Sequence, residues 1–452
     1  MLVLSCALIV LALSGGSASA GPVPIPSDPV DPLDLSSVLP TALALPGDGW
    51  ADPSSLVVTD AQLASAGATQ AAQLLVNAPD MLIVDDDLGQ CPNADFSSIQ
   101  AAVLAAPVGG HVRVCPGLYE EAVNVLKPLT LQAPRHLGQA TNCQEPLPPD
   151  PTREAIIEGT GFTLVQLAAN DIVFDGFTVQ NNEAGPGIYT SPLFSGYQVE
   201  HNTVQANVFG IYFNASGATE SVVKHNCVRF NTSPGAASSN GVYSDQNLDN
   251  ASIQDNYFTG HTNASVVLTH TVGVNDKIEI THNSSVDDSS IALFFTTNFV
   301  VGHNKIVRPA GSGVFLGGGT EPGEISFNDL EQGSGNGISL TTLLGPTSDI
   351  VLRSNRVAGF GGSGIRLGDG VTDTTVETNR SQDNGVDGIR AQSGAVENLI
   401  RSNHMLGNAE HDCHDDSAGP YNAPALVANQ WINDFGRTEN RPGLCKHATV
   451  TP

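Results

Sequence analysis

Between Phe174 and Asn408 the hydrophobic and polar positions fall into a repeat built on the dipeptide X-Asn. It occurs as His201-Asn202, His225-Asn226, Asp255-Asn256, His282-Asn283, His303-Asn304, Phe327-Asn328, Ser354-Asn355, Thr378-Asn379 and Ser402-Asn403. Successive asparagines stand 24, 30, 27, 21, 24, 27, 24 and 24 residues apart. A period in the twenties marks a solenoid, whose units bury their apolar faces only by stacking on one another. From Ile350 to Val357 apolar and polar residues alternate on either side of the Asn, and Gly364-Ile-Arg-Leu367 opens a second alternating stretch. This is the two-residue period of β-strands. The second stretch returns as Gly187-Ile-Tyr, Gly210-Ile-Tyr-Phe, Gly241-Val-Tyr, Gly313-Val-Phe-Leu, Gly337-Ile-Ser-Leu and Gly388-Ile-Arg. The LxxLxLxxN frame of leucine-rich repeats does not occur. Two or three short strands per turn, stacked in parallel, give a β-helix of about nine rungs here. Asn is expected at the tight corner because it tolerates the left-handed conformation, and stacked amides can hydrogen-bond from rung to rung.

Upstream, Phe96-Ser-Ser-Ile-Gln-Ala-Ala-Val-Leu-Ala-Ala106 predicts a helix. Ser97 and Gln100 form its capping box, and Ile99, Ala102, Val103 and Ala106 share one face. Such a helix would plug the open end of the solenoid, with Val112–Val114, Ala122–Val125 and Leu129–Leu131 as the first strands. Residues 1–20 read as a secretory signal, with an apolar run from Leu2 to Leu13 and Ala18-Ser19-Ala20 as the cleavage site. The usual basic segment is missing, as it would be if the true start lies upstream. Residues 21–80 are a Pro/Asp/Ala-rich lead-in, expected to be largely disordered. The β-helix with its N-terminal cap is assigned to 81–408 and a C-terminal cap, with a buried Trp431, to 409–452.

Cleavage would leave six cysteines, an even number that suggests disulfides in an exported chain. The pairings Cys91–Cys115 and Cys413–Cys445 would each clamp one end, and Cys143–Cys227 follows by elimination. The net charge of −28 with 18 Lys+Arg argues against nucleic acid and anionic membrane surfaces as partners. No stretch is long enough to span a membrane. A secreted monomer is expected.

The segment FSSIQAAVLAAPVGGHVRVCPGLYEEAVNVLKPLTL, with the Asn-centred repeats, resembles the right-handed parallel β-helix superfamily, the pectate-lyase-like fold. It resembles the form found in exported bacterial proteins with a right-handed β-helix repeat region. The resemblance covers about residues 81–408 and implies an all-β solenoid. It does not fix an activity, because the superfamily holds lyases, hydrolases, esterases, epimerases, a copper-delivery accessory protein and members without known activity. The QDTL and DFIFG motifs of pectin methylesterases and the Asp-Pro-His-Asp motif of alginate epimerases are absent. Asp287-Asp288-Ser-Ser-Ile-Ala292 followed by Gly302-His303 faintly resembles the polygalacturonase pattern, without its Asn-Thr-Asp and Arg-Ile-Lys. Asp287 and Asp288 could act as acid and base if they faced one cleft; otherwise they are solvated turn residues.

Stacking the rungs by their Asn produces columns. Glu200 beside Lys224, and Arg353–Glu377–Arg401, alternate in sign, as cross-strand charge pairs do. His201, His225, His282 and His303 precede the Asn on four of five successive rungs and could hold a transition metal. The alternative is that the slot merely tolerates polar residues, since Phe327, Ser354, Thr378 and Ser402 fill it later. On the second strand an outward column reads Tyr189, Tyr212, Tyr243, Val267, Ala292, Phe315, Ser339, Arg366 and Arg390. The tyrosines could form a sugar-stacking surface or pack as sheet-surface pairs. Arg366 and Arg390 could clamp a uronate carboxylate, unless Asp369, Asp373, Asp383 and Asp387 neutralise them. Those aspartates could instead bind Ca²⁺; no cofactor is otherwise required. Glu410-His-Asp-Cys-His-Asp-Asp416 is the densest ligand cluster, where a divalent ion would be structural rather than catalytic. The sequence thus predicts an extracellular protein that binds or processes polysaccharide, acidic glycans foremost, as a lyase or hydrolase if active. The competing class is a non-catalytic surface, adhesion or structural scaffold.

Overall fold

The computed structural model describes residues 81–135, 143, 148–270, 273–288, 290–422 and 424–447. The signal and lead-in assignments for 1–80 lie outside these residues. The described chain coils into three parallel sheets of 14, 14 and 12 strands, each strand pairing with its counterpart one turn away. Sheet 1 runs from Met81–Val84 to Gln430–Ile432, sheet 2 begins at Gly117–Tyr119, and sheet 3 runs from Val123–Val125 to Cys413–Asp415. This is the expected parallel β-helix. It extends beyond the Asn-marked rungs at both ends, and strand pairing continues past residue 408 with Cys413–Asp415 and Gln430–Ile432.

Inward side chains form apolar columns because parallel pairing sets identical positions above one another. On sheet 1, Phe174, Val199, Val223, Ile253, Ile280, Val301, Ile325, Leu352, Val376 and Ile400 stack in register and are buried. Trp431 closes that column, its indole N–H donating to Asp415 at 2.7 Å. The recurrent glycines before the sheet 3 strands have a steric cause. A Cβ at Gly337 or Gly388 would lie 2.5 Å from the backbone carbonyl of Gly364 or Asp412 on the next rung.

The corner between sheets 1 and 2 is held by a continuous asparagine ladder. From Asn202 to Asn403, each Nδ2 donates to the Oδ1 of the next Asn at 3.0–3.1 Å. Each Nδ2 also donates to a backbone carbonyl, as Asn304 does to Ile280 at 2.8 Å. These amides satisfy groups that would otherwise be buried unpaired. The expected left-handed Asn is a correction: the residue before it takes that conformation. His201, His225, Asp255, His282, His303, Phe327, Ser354, Thr378 and Ser402 have φ of 52–58°. Turning the chain one residue early aims the Asn side chain inward, where its amide is useful.

Asp434 ends the ladder, accepting from Asn403 Nδ2 at 2.8 Å and Asn403 N–H at 2.9 Å. Burial pushes its pKa up to about 7 against the lowering pull of these donors. The folded chain therefore keeps a proton that the unfolded chain loses from its ordinary value of 3.8 upward. The resulting stabilisation is full below about pH 4 and is lost as pH rises through about 7. Asp434→Asn is expected to flatten this decline, read as the wild-type-minus-variant difference in urea midpoint between pH 4 and 8.

The plug helix, α1, spans Ile99–Ala105 and buries Ile99, Ala102, Val103 and Ala105. Its cap is Ser98 rather than Ser97, with Ser98 Oγ accepting from the Ala101 N–H at 3.3 Å. Glu121, from the next strand connection, accepts from the Ile99 and Gln100 N–H groups at 2.7 and 3.0 Å. A tertiary carboxylate thus replaces the local capping box. All three expected disulfides form: Cys91–Cys115, Cys143–Cys227 and Cys413–Cys445, with Cα–Cα distances of 6.3, 5.6 and 6.1 Å.

Candidate functional site

The outward column of sheet 3 is in the expected register, rung by rung, from Tyr189 to Arg390. It continues one rung further to His414, which pairs with Arg390. Sequence reading stopped short because Asp412 replaces the glycine that marks seven of the nine rungs before it. The 24-residue step from Arg366 to Arg390, applied once more, reaches His414.

The column divides into two chemistries. At its N-terminal end Tyr189, Tyr212 and Tyr243 contact one another edge-on or tilted, with centroids 5.3 and 5.7 Å apart. They face outward from the sheet, yet all three are at most 3% exposed, packed with Phe209 of the same sheet and with Val208 and Ala237 from the strand connections. Their ring faces are therefore covered, and they pack as sheet-surface pairs. Tyr212 and Tyr243 donate their hydroxyls to Asp245. Burial raises the Asp245 pKa despite those two donors, and burial followed by Asp245 raises both phenols.

At the C-terminal end the column turns charged. Arg366 is half-buried and donates to Ser339 Oγ at 3.4 Å and to Gln392 Oε1 at 3.1 Å, both neutral groups. Arg390 is buried, donating to Asp416 at 3.0 Å and lying 3.7 Å from Asp387. His414 bridges the same carboxylates, with Nδ1 3.0 Å from Asp387 and Nε2 2.9 Å from Asp416. Burial alone would lower the His414 pKa, but the hydrogen bonds and charges of Asp387 and Asp416 outweigh it and hold the imidazole above its ordinary value. Burial likewise works to raise Asp416, and His414 and Arg390 pull it down on balance. Of the four aspartates expected to neutralise the arginines, Asp387 lies by Arg390. Asp369 instead accepts from Ser393 and the Gly394 N–H.

Asp287 and Asp288 diverge. Asp287 is exposed and forms a bidentate pair with Arg308 at 2.6 Å. Asp288 is fully buried and accepts from His261 Nδ1 at 2.9 Å. His261 and Asp288 continue a second corner ladder that starts Asn182–Asn207–Asn231, which sequence reading missed. The two carboxylates share no face. The corner histidines stack instead of converging: His282 and His303 lie 4.9 Å apart at 4°, and Phe327 follows at 5.0 Å. Face-to-face imidazoles send their in-plane lone pairs along parallel lines, not to one ion. Of the charge columns, Lys224–Glu200 pair at 3.1 Å and Arg401–Glu377 at 2.5 Å as expected, whereas Arg353 turns to Glu324 at 2.8 Å.

No protein-family model matches the chain, and no curated protein matches its sequence. Solved structures do. The catalytic unit of a thermostable GH87 alpha-1,3-glucanase from Streptomyces thermodiastaticus is similar at TM-score 0.53 and 15% identity, over 75% of this chain and 66% of that one. The alginate lyase AlyF-OU02 aligns at TM-score 0.48 and 13% identity, over 82% and 87%. A mutant of the periplasmic alginate epimerase AlgG aligns at 0.46 and 12%, over 92% and 100%. The likeness to the glucanase is one of fold, and this chain spans about two thirds of that protein's length. Among the described residues no helix is long and apolar enough to cross a membrane.

Proposed function

We propose that this is an extracellular polysaccharide-binding protein that engages its glycan along the C-terminal end of sheet 3, with lyase- or hydrolase-like processing there if it is active. The observation that carries the reading is the run of Arg366, Arg390 and His414 on three successive rungs, with Asp387 and Asp416 between them. A repeating polymer suits a repeating flank, because each rung offers the same position to the next sugar. Arg366, whose hydrogen-bond partners are neutral, is the guanidinium best placed to meet a uronate carboxylate, and Arg390 holds the carboxylates beside it. Three disulfides fit an oxidising compartment, and glycan-processing enzymes among proteins of similar fold point the same way.

Arg366→Ala is expected to weaken retention on an immobilised uronic-acid polymer about tenfold, the scale of one lost charged hydrogen bond. Equal retention of wild type and variant would remove Arg366 from the site. A specific observation favours the scaffold reading as well: Arg390 is already neutralised by Asp416 at 3.0 Å, and the tyrosine faces are covered. Binding without turnover would select it.

A further inference from the structure

We infer that Asp387, Glu410, His411 and His414 form a binding site for one transition-metal dication of the zinc class. Each offers a donor atom, and the four atoms lie within 4.8 Å of one another. Asp387 comes from the turn before the Ile389–Ala391 strand, and the other three from the turn and strand one rung on, so parallel stacking brings them together.

Two observations point to a missing ligand rather than a satisfied polar cluster. Asp387 is fully buried and its Oδ2 has no hydrogen bond, only the Arg390 guanidinium 3.7 Å away, and the buried His411 Nδ1 has no hydrogen-bond partner either. Unpaired polar atoms at such depth are costly unless something completes them. Asp387 Oδ1 lies 3.0 Å from His414 Nδ1 and 3.6 Å from His411 Nδ1. Donors around a tetrahedral ion with bonds of about 2.1 Å sit roughly 3.4 Å apart, so the 3.6 Å edge fits and the 3.0 Å edge opens by a few tenths of an ångström. Glu410 is exposed, so its side chain has room to adjust to the ion.

The surroundings are built for the ion too. His414 Nε2–H donates to Asp416 at 2.9 Å, and Arg390 donates to Asp416 at 3.0 Å. A carboxylate behind a ligating imidazole fixes its tautomer, and the ion would displace the proton that Nδ1 shares with Asp387. The local formal charge is three carboxylates (Asp387, Glu410, Asp416) against one guanidinium, −3 + 1 = −2, matching a dication. Two imidazoles with two carboxylates select zinc-like ions over Ca²⁺, which takes oxygen donors. The inference stands whether or not the flank takes a glycan.

The test is competition between the chelator-stripped whole chain and a chromophoric zinc indicator, with Co²⁺ absorption as the spectroscopic check. Expected are one equivalent of Zn²⁺ per chain, no displacement by millimolar Ca²⁺, and a Co²⁺ spectrum of nitrogen and oxygen ligation. His414→Ala and Asp387→Asn should each weaken binding at least tenfold. Failure of the wild type to hold one equivalent would overturn the site. So would binding unchanged in both variants, which would place the metal on surface histidines. Because the wild-type stoichiometry and Co²⁺ spectrum need no variant, a misfolded mutant does not spare the proposal.

Discussion

Asn304→Ala should destabilise the fold by about 3–5 kcal/mol, although it removes only a small polar side chain. The substitution strips the Asn283 backbone N–H and carboxamide of their acceptor, at 3.0 Å each, and the Ile280 carbonyl of its donor at 2.8 Å. All three groups are deep inside the corner, where an orphaned donor or acceptor costs about 1–3 kcal/mol. Asn304 also sits mid-ladder, so rungs on both sides lose a partner. The contrast is Ser402→Gly. Ser402 is exposed at φ 57°, the position that makes the turn. Glycine relieves the left-handed strain there and adds chain entropy when unfolded, so the net change should stay within about 1 kcal/mol. Equilibrium urea unfolding distinguishes the two. Equal losses would mean that the turn residue, not the ladder, holds the corner.

Arg390→Ala should cost about 3–5 kcal/mol at neutral pH in the presence of chelator, the usual consequence of removing one partner of a buried ion pair. The guanidinium is the cation bonded to Asp416 at 3.0 Å and it lies 3.7 Å from Asp387, which is fully buried. Without it both carboxylates face each other across His414 alone, and Asp416 loses one of the two cations that hold its pKa down. The deficit should therefore shrink as the solution is acidified and Asp416 takes up a proton. A deficit constant from pH 7 to 4 would mean that lost packing, not charge, is responsible.

The coil was readable because its corner imposes a chemical requirement at every turn. A buried corner needs a side chain that both donates and accepts, and only Asn recurred at the right period. Two of the disulfide pairs followed from where the ends of the coil had to be clamped, and Cys143–Cys227 only by elimination. What stayed hidden depends on segments outside the repeat. The tyrosine column was placed correctly, but its cover comes from connections such as the one carrying Ala237, inside the 30-residue step between Asn226 and Asn256. The Ser98 cap relies on Glu121, 23 residues away, which no local capping rule anticipates. The second ladder was masked because His261 and Asp288 stand where Asn is expected. In the charged cluster, Arg366 and Arg390 were visible as neighbours, while the role of Asp387 emerged only when its turn stacked beneath His411 and His414.

The central claim is that a glycan is engaged along this flank. It is tested most directly by incubating the protein with neutral and uronic-acid polysaccharides, with and without added divalent ions, and weighing the products while scoring retention on each polymer. The prediction is retention on at least one uronic-acid polymer that Arg366→Ala weakens. Unsaturated ends would then identify a lyase, added water a hydrolase, and intact polymer a binding scaffold. Polymers that are all unchanged and unretained, or retention indifferent to Arg366, would contradict it.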